Sequence, residues 1–336
     1  MSSESYFRGR RVLITGGLGF IGSNLAHRLV KLGAEVSLLD VLLESNGGTP
    51  INIQGIEHRV ETIFGDIRDR DLMQRCVSGK DFIFNLAGQV SYKDSLEDPF
   101  LDLDISCSGQ LNLLQACRLV NPQVKIIFAS SRLVYGKPLS LPVPETAATE
   151  PLTLYGIHKL TAEKYHLLYW KNFGIRTVIL RITNPYGPRQ NVKNGKYGIV
   201  NWLLQLALSG GTLRLYGEGS QKRDVLFIDD LVDIFLEAAL RESANGHVLN
   251  AGSGIGIPLK EIAEMAVQAA GRGRIEHVDW PSAEQQMETG DFVADIGTMS
   301  KILGITPKTS LPEGLARARD YYLRNQGKII VGAAMP

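Results

Sequence analysis

The sequence predicts an α/β chain built on a doubly wound parallel sheet, with a smaller, mainly C-terminal lobe. Three observations lead there. Short apolar runs alternate with helix-period segments through the first half of the chain. A glycine-rich turn follows the first run and opens a helix. The alternation weakens after Asn184, where Pro185, Gly187, Pro188, Gly195 and Gly198 crowd together.

Taken in order, residues 11–15 form the first expected strand and 21–32 a helix with apolar residues at helical spacing. A second strand is expected at 35–40, and the apolar runs at 60–64, 82–86 and 124–129 repeat the signal. Helices are expected between them at 69–77 and 104–120, then a long one at 155–173 followed by a strand at 177–181. Such a βαβ rhythm covers both faces of a parallel sheet with helices. Residues 222–229 read as a strand running into a helix at 230–240, and 258–270 as another helix. The sheet domain is expected to take residues 1–185, with 226–255 returning to it. The lobe takes 186–225 and 256–336.

The totals exclude some function classes. The 336 residues are 44% hydrophobic, enough for a real core. Lys and Arg number 36 against 35 Asp and Glu, a balance that does not draw the chain to nucleic acid or to a membrane surface. The three cysteines, Cys76, Cys107 and Cys117, fit no metal-ligand spacing and read as buried thiols in a reducing compartment. No metal site is expected. The N-terminal residues lack the apolar run of a signal peptide, and no stretch of about 20 apolar residues appears. A cytoplasmic, membrane-free chain is therefore expected.

The glycine turn carries the first chemistry. Gly16, Gly17, Gly19 and Gly22 satisfy both common dinucleotide spacings, and Phe20 and Ile21 begin the helix. Glycines let backbone N–H groups approach a pyrophosphate, and the helix N-terminus adds partial positive charge. Asp40 ends the second strand, where a carboxylate accepts hydrogen bonds from an adenosine ribose and repels a 2′-phosphate. NAD is thus expected over NADP on a Rossmann-type sheet. Without a ligand, the same residues read as a glycine turn and a solvated strand-end acid. Asp66 and Ile67 at the next strand end suit the adenine, and Leu86, Ala87 and Gly88 leave room for close cofactor contact.

The second signal is Tyr155…Lys159. On a helix these two share a face, so the ammonium is expected to pull the phenol down toward neutrality and make it an acid/base. Ser131, at the end of the fifth strand, can share a substrate oxygen with Tyr155; Ser130 competes for that part, and a turn-forming serine is the plain reading.

Together, Thr15–Gly22, Asp40, Gly65-Asp66-Ile67, Ser131…Tyr135-Gly136, Tyr155…Lys159 and the segment from Arg181 to Arg189 resemble the extended short-chain dehydrogenase/reductases. More narrowly, they resemble the NAD-dependent epimerase/dehydratase group that acts on nucleotide sugars. Leu215–Asp224, Phe227–Asp230, Gly290-Asp291 and Ala294–Ile296 continue the likeness over nearly the whole chain. The resemblance implies a Ser131, Tyr155, Lys159 triad, with Lys159 also holding the nicotinamide ribose. It implies that Ser91 meets a sugar hydroxyl, Asn184 and Arg223 the diphosphate, and Tyr216 the base. By itself Arg223 reads as a surface ion pair, and Tyr216 as core packing. The resemblance also implies a homodimer through helices 104–120 and 155–173, with Leu111, Leu114, Leu167 and Leu168 as candidate contacts. Two positions depart from the family pattern: Ser106 stands where Asn is usual, and Glu288 where many members carry a phosphate-binding Arg. Lys193 and Lys196 are the nearby cations that could compensate.

The residues after Ser131 narrow the reaction. Dehydratases of the family carry Asp-Glu there and decarboxylases usually keep the Glu; this chain has Arg132 and Leu133. The expectation is C4 epimerisation of a nucleoside diphosphate sugar, UDP first, through a transient 4-keto sugar. A 4-keto-sugar reductase is the alternative, followed by a dehydratase or decarboxylase. A sensor of NAD or of a nucleotide sugar is the non-enzyme alternative.

Overall fold

The computed structural model describes residues 6–43, 47–89, 92–192, 198–281, 285 and 288–325. Seven parallel strands form its central sheet: β1 (Arg11–Thr15), β2 (Glu35–Asp40), β3 (Val60–Phe64), β4 (Phe82–Asn85), β5 (Lys125–Ser131), β6 (Arg176–Ile182) and, returning late in the chain, β10 (Val248–Ala251). Their order is β10-β6-β5-β4-β1-β2-β3. The chain therefore winds outward in both directions from the β1–β4 pair, and the crevice beyond the carboxyl ends of those two strands is where such sheets hold ligands. Every neighbouring pair is parallel, with Thr15 beside Leu39 on one flank and Asn85 on the other. β1, β4 and β5 are apolar and almost wholly buried, as strands covered on both faces must be.

Between the strands run α1 (Phe20–Lys31), α2 (Arg70–Val77), α3 (Tyr92–Glu97), α4 (Pro99–Leu103), α5 (Gly109–Val120) and α6 (Leu154–Phe173). The single helix expected at 104–120 starts earlier and is interrupted. Asp98 caps α4 by accepting from the Leu101 N–H, with Pro99 in the first position, and a π-helical turn at Asp104–Ser108 precedes α5. Gly109 closes that turn where a Cβ would come 2.6 Å from Ile67. α6 begins at Thr153, whose hydroxyl accepts from the Gly156 N–H, and stops at Gly174 in the left-handed region.

The remaining strands make two small sheets. β7 (Asn184–Tyr186), β9 (Lys222–Phe227) and β11 (Gly256–Pro258) form one; β8 (Thr212–Tyr216) and β12 (Arg274–Val278) pair in the other. Near them pack α7 (Ile199–Leu208) and α9 (Leu259–Ala270), while α8 (Ile228–Leu240) lies against α1 and β5; α10 (Gly297–Leu303) and α11 (Leu311–Arg324) follow. The stretch after Asn184 is thus less loop-rich than its Pro and Gly content suggests, since it holds α7 and β8. Fully buried Asp224 ties β9 to its surroundings: it accepts from the backbone N–H groups of Ser253, Gly254 and Ala294 and from the Ser253 hydroxyl. One large apolar cluster runs from β1 and α1 through α7, α8 and α9, so sheet and lobe share a core. Among the described residues no helix is long and apolar enough to cross a membrane.

Candidate active site

A cavity of about 530 Å³ opens over the carboxyl ends of β1, β4 and β5. The glycine turn forms one end. Gly16 adopts φ +68°, where L side chains are strained, and a Cβ there would sit 3.1 Å from the Leu86 backbone, so the β1 turn and the β4 turn pass closely. Gly22 is tighter, since its Cβ would lie 2.3 Å from the Gly16 carbonyl oxygen. Gly19 is the N-cap of α1, with no side chain capping the helix and no acid in its first turn, which leaves the positive end of the helix to a ligand. Thr15 shapes the opposite wall: its hydroxyl donates to Asn85 Oδ1 at 2.9 Å and accepts from the N–H groups of Leu86 and Ala87.

Asp40 stands at the end of β2, lining the cavity, and accepts from the Leu18 and Leu42 N–H groups. A carboxylate has about four acceptor positions, so capacity remains for ribose hydroxyls. Asp66 and Ile67 also line the cavity. Burial raises the Asp66 carboxyl, but hydrogen bonds from Arg68 outweigh it and hold the group below its usual range. These features fit an adenine dinucleotide on geometric grounds: a cradle without Cβ atoms, an uncapped helix terminus and a strand-end acid.

Deeper in the cavity the three polar residues converge. Ser130 and Ser131 separate cleanly. The Ser130 hydroxyl donates to Glu163, whereas Ser131 accepts from the Leu133 N–H and hydrogen-bonds to the Tyr155 phenol. The helix start can approach them because of Gly156, where a Cβ would lie 2.7 Å from the Leu133 carbonyl. Lys159 donates to the Ala129 carbonyl at 3.0 Å, with its ammonium 5.7 Å from the Tyr155 ring centre. Gly88 makes room for it, since a Cβ there would be 3.1 Å from Nζ.

The charge state differs from expectation. Burial pushes the Tyr155 phenol up to about 12, opposed by the Ser131 hydrogen bond and reinforced by the Asp102 carboxylate. Burial is the largest cause, and the Ser131 hydrogen bond is what opposes it, so the phenol is not drawn to neutrality. Burial likewise lowers Lys159 to about 8, while Asp102, Glu163 and Cys107 act to raise it. Behind the site, His166 stacks on Phe128 at 4.5 Å, and burial lowers it to about 3, so it stays neutral.

The far end of the cavity is lined by Asn184, Tyr216, Gln221, Arg223, Trp280 and Glu288. The Asn184 amide donates to the Asp224 carbonyl. Tyr216 packs against Trp280 with ring centres 5.1 Å apart, an aromatic pair of which the sequence reading named only one half. Arg223 is not a surface ion pair. It is 8% exposed, and its Nη2 donates to both Glu288 oxygens at 2.8 and 2.9 Å, with Nη1 on the Lys222 and Gly290 carbonyls. Arg132 donates to the Thr289 hydroxyl and lies over the Phe292 ring. Ser91, Lys193 and Lys196 lie outside the described residues.

Several residues escaped the sequence reading. Asp102 and His158 form a buried hydrogen bond at 2.6 Å, and Glu163 takes both Arg181 and Ser130. All three cysteines are buried, which raises their thiols, Cys107 to about 11. Of the four leucines named as contacts between copies, Leu111 and Leu168 face outward. Leu114 is fully buried and Leu167 packs against the core.

Comparison with known proteins agrees with this geometry. Residues 12–252 match the model of the NAD dependent epimerase/dehydratase family. The UDP-glucose 4-epimerase of Mycolicibacterium smegmatis is 31% identical over 95% of this chain and 100% of its own length. The CDP-paratose 2-epimerase of Salmonella typhi is 30% identical over 93% and 98%. The crystal structure of the Thermotoga maritima UDP-glucose 4-epimerase with UDP-glucose superposes with a TM-score of 0.85, at 28% identity over 94% of this chain and 99% of that one. With the glycine cradle and strand-end acid in place, NAD is the cofactor, and the chain belongs to the NAD-dependent epimerase/dehydratase family.

Proposed function

We propose that this protein inverts C4 of a nucleoside diphosphate sugar, with UDP as the nucleotide. The observation that carries the reading is the convergence of Ser131, Tyr155 and Lys159 in one cavity, followed directly by Arg132 and Leu133, where no carboxylate is available for elimination. In this reading Tyr155 accepts the proton of the C4 hydroxyl while Ser131 holds that oxygen. NAD, when bound, supplies the acceptor and donor of hydride and a positive charge that favours the phenolate. Lys159 adds its own charge on the same side. After the sugar turns over, Tyr155 returns the proton to the same oxygen, so no atom is gained or lost. Tyr216 and Trp280 offer aromatic faces to the base. Asn184 and Arg223 stand nearest the diphosphate, although Arg223 must first give up Glu288.

UDP is favoured because the relative from M. smegmatis and the T. maritima structure are both UDP-glucose 4-epimerases. The same reading extends to a homodimer: Phe100, Leu103, Leu111, Ile157 and Leu168, on or beside α5 and α6, are all exposed apolar side chains. The test is incubation with UDP-glucose and catalytic NAD, followed by nuclear magnetic resonance of the sugar. The C4 epimer is the expected product. A C2 epimer, a 4-keto-6-deoxy sugar or no conversion of any nucleoside diphosphate sugar would contradict the proposal.

A further inference from the structure

Immediately before Lys159 in α6 sits His158, whose Nδ1 lies 2.6 Å from Asp102 Oδ2. Asp102 belongs to α4, and the Ser106 hydroxyl, in the π-helical turn, donates to its other oxygen at 3.2 Å. Asp102 is fully buried and His158 nearly so. A carboxylate withdrawn from water is costly unless it is hydrogen-bonded, so its retention behind the site calls for a task.

The groups around Lys159 narrow that task. Glu163, one turn along α6, also acts to raise Lys159 but not Tyr155, and it is held by the Arg181 fork through both oxygens and by Ser130. Cys107, held at about 11, and His166, held at about 3, are neutral near pH 7. Asp102 is the carboxylate whose field reaches Tyr155 and Lys159 together, and its direct partners are a hydroxyl and an imidazole.

We propose that Asp102 and His158 form a positioning pair, which clamps the first turns of α6 to α4 and holds negative charge behind Tyr155 and Lys159 so that the buried lysine keeps its proton. The inference rests on the reading of Lys159 as the residue that holds the cofactor, and it is independent of which sugar the enzyme takes. A protonated Lys159 is the form that donates to a ribose oxygen. Burial works against that form, and Asp102 opposes the effect of burial. Affinity for NAD is therefore full below the lysine's value of about 8 and falls as pH rises through it.

The test is calorimetric titration of NAD between about pH 6 and 10, the span in which a depressed lysine titrates. Wild type breaks near the value for Lys159, and Lys159→Met shows no break. Asp102→Asn keeps the shape of the side chain and removes its charge; its break moves about one pH unit lower, the effect of losing one nearby opposite charge. Should that variant not fold, the triple variant Asp102→Leu, Ser106→Ala and His158→Leu removes the pair together with the hydroxyl that donates to it and carries the same expectation. A wild-type break in a natively melting Asp102→Asn, with the break gone in Lys159→Met, overturns the pair's role alone. A break that persists in Lys159→Met removes the role given to Lys159, and the proposal with it.

Discussion

Gly22→Ala tests the cofactor cradle at its narrowest point. The added Cβ would sit 2.3 Å from the Gly16 carbonyl oxygen and 2.9 Å from the Gly17 Cα, both backbone atoms that no rotamer change can move aside. Side-chain carbons do not approach closer than 3.0 Å, so either the turn opens or α1 slides away from it. Both shifts pull the helix N-terminus off a pyrophosphate whose charge it is placed to meet. Losing one hydrogen bond to a charged group costs about 1.5–3 kcal/mol. That corresponds to roughly a ten- to hundredfold rise in the Kd for NAD. Calorimetry on the folded variant measures it directly. Gly174→Ala is the control: it is strained at φ +71° but has nothing within 4 Å of its Cβ, so it should lower the melting temperature without touching cofactor affinity. A Gly22→Ala protein that melts natively and binds NAD as tightly as wild type would refute the reasoning.

Three further outcomes are expected. Asp40→Ser removes the carboxylate at the end of β2, so it should weaken NAD and narrow the preference over NADP; an unchanged ratio by calorimetry would remove Asp40 from the ribose site. Tyr155→Phe keeps the ring but loses the hydroxyl that meets Ser131, so turnover should fall about 10²–10⁴-fold with NAD affinity nearly intact, as read by steady-state kinetics and calorimetry. Light scattering at micromolar concentration should give twice the single-chain mass, and Leu168→Asp, at a half-exposed position, should reduce it to the single-chain value. A monomeric wild type would end the dimer reading.

The central sheet was legible because its strands are apolar runs with glycine turns between them, and local pattern suffices for that. The NAD turn and Tyr155…Lys159 were legible for a similar reason, since each motif lies within a few residues of chain. What local pattern could not carry was long-range pairing. Asp102 meets His158, and Arg223 meets Glu288, across more than 50 residues; each residue alone looks like an ordinary surface charge. Burial was equally hidden. The phenol of Tyr155 is expected from the sequence to fall toward neutrality beside an ammonium, but burial is the largest cause acting on both groups and sets the direction. The break between α4 and α5 was missed because a π-helical turn keeps nearly helical apolar spacing.

The central claim, a redox-neutral inversion at C4 with Tyr155 moving the proton, is tested most directly by running the reaction in D₂O with unlabelled UDP-glucose. Hydride that leaves and returns to the same carbon exchanges nothing with solvent, so the product should carry no deuterium on any sugar carbon. Deuterium at C5 or C6 would mean enolisation, and stoichiometric consumption of added NADH would mean net reduction; either result would contradict the account.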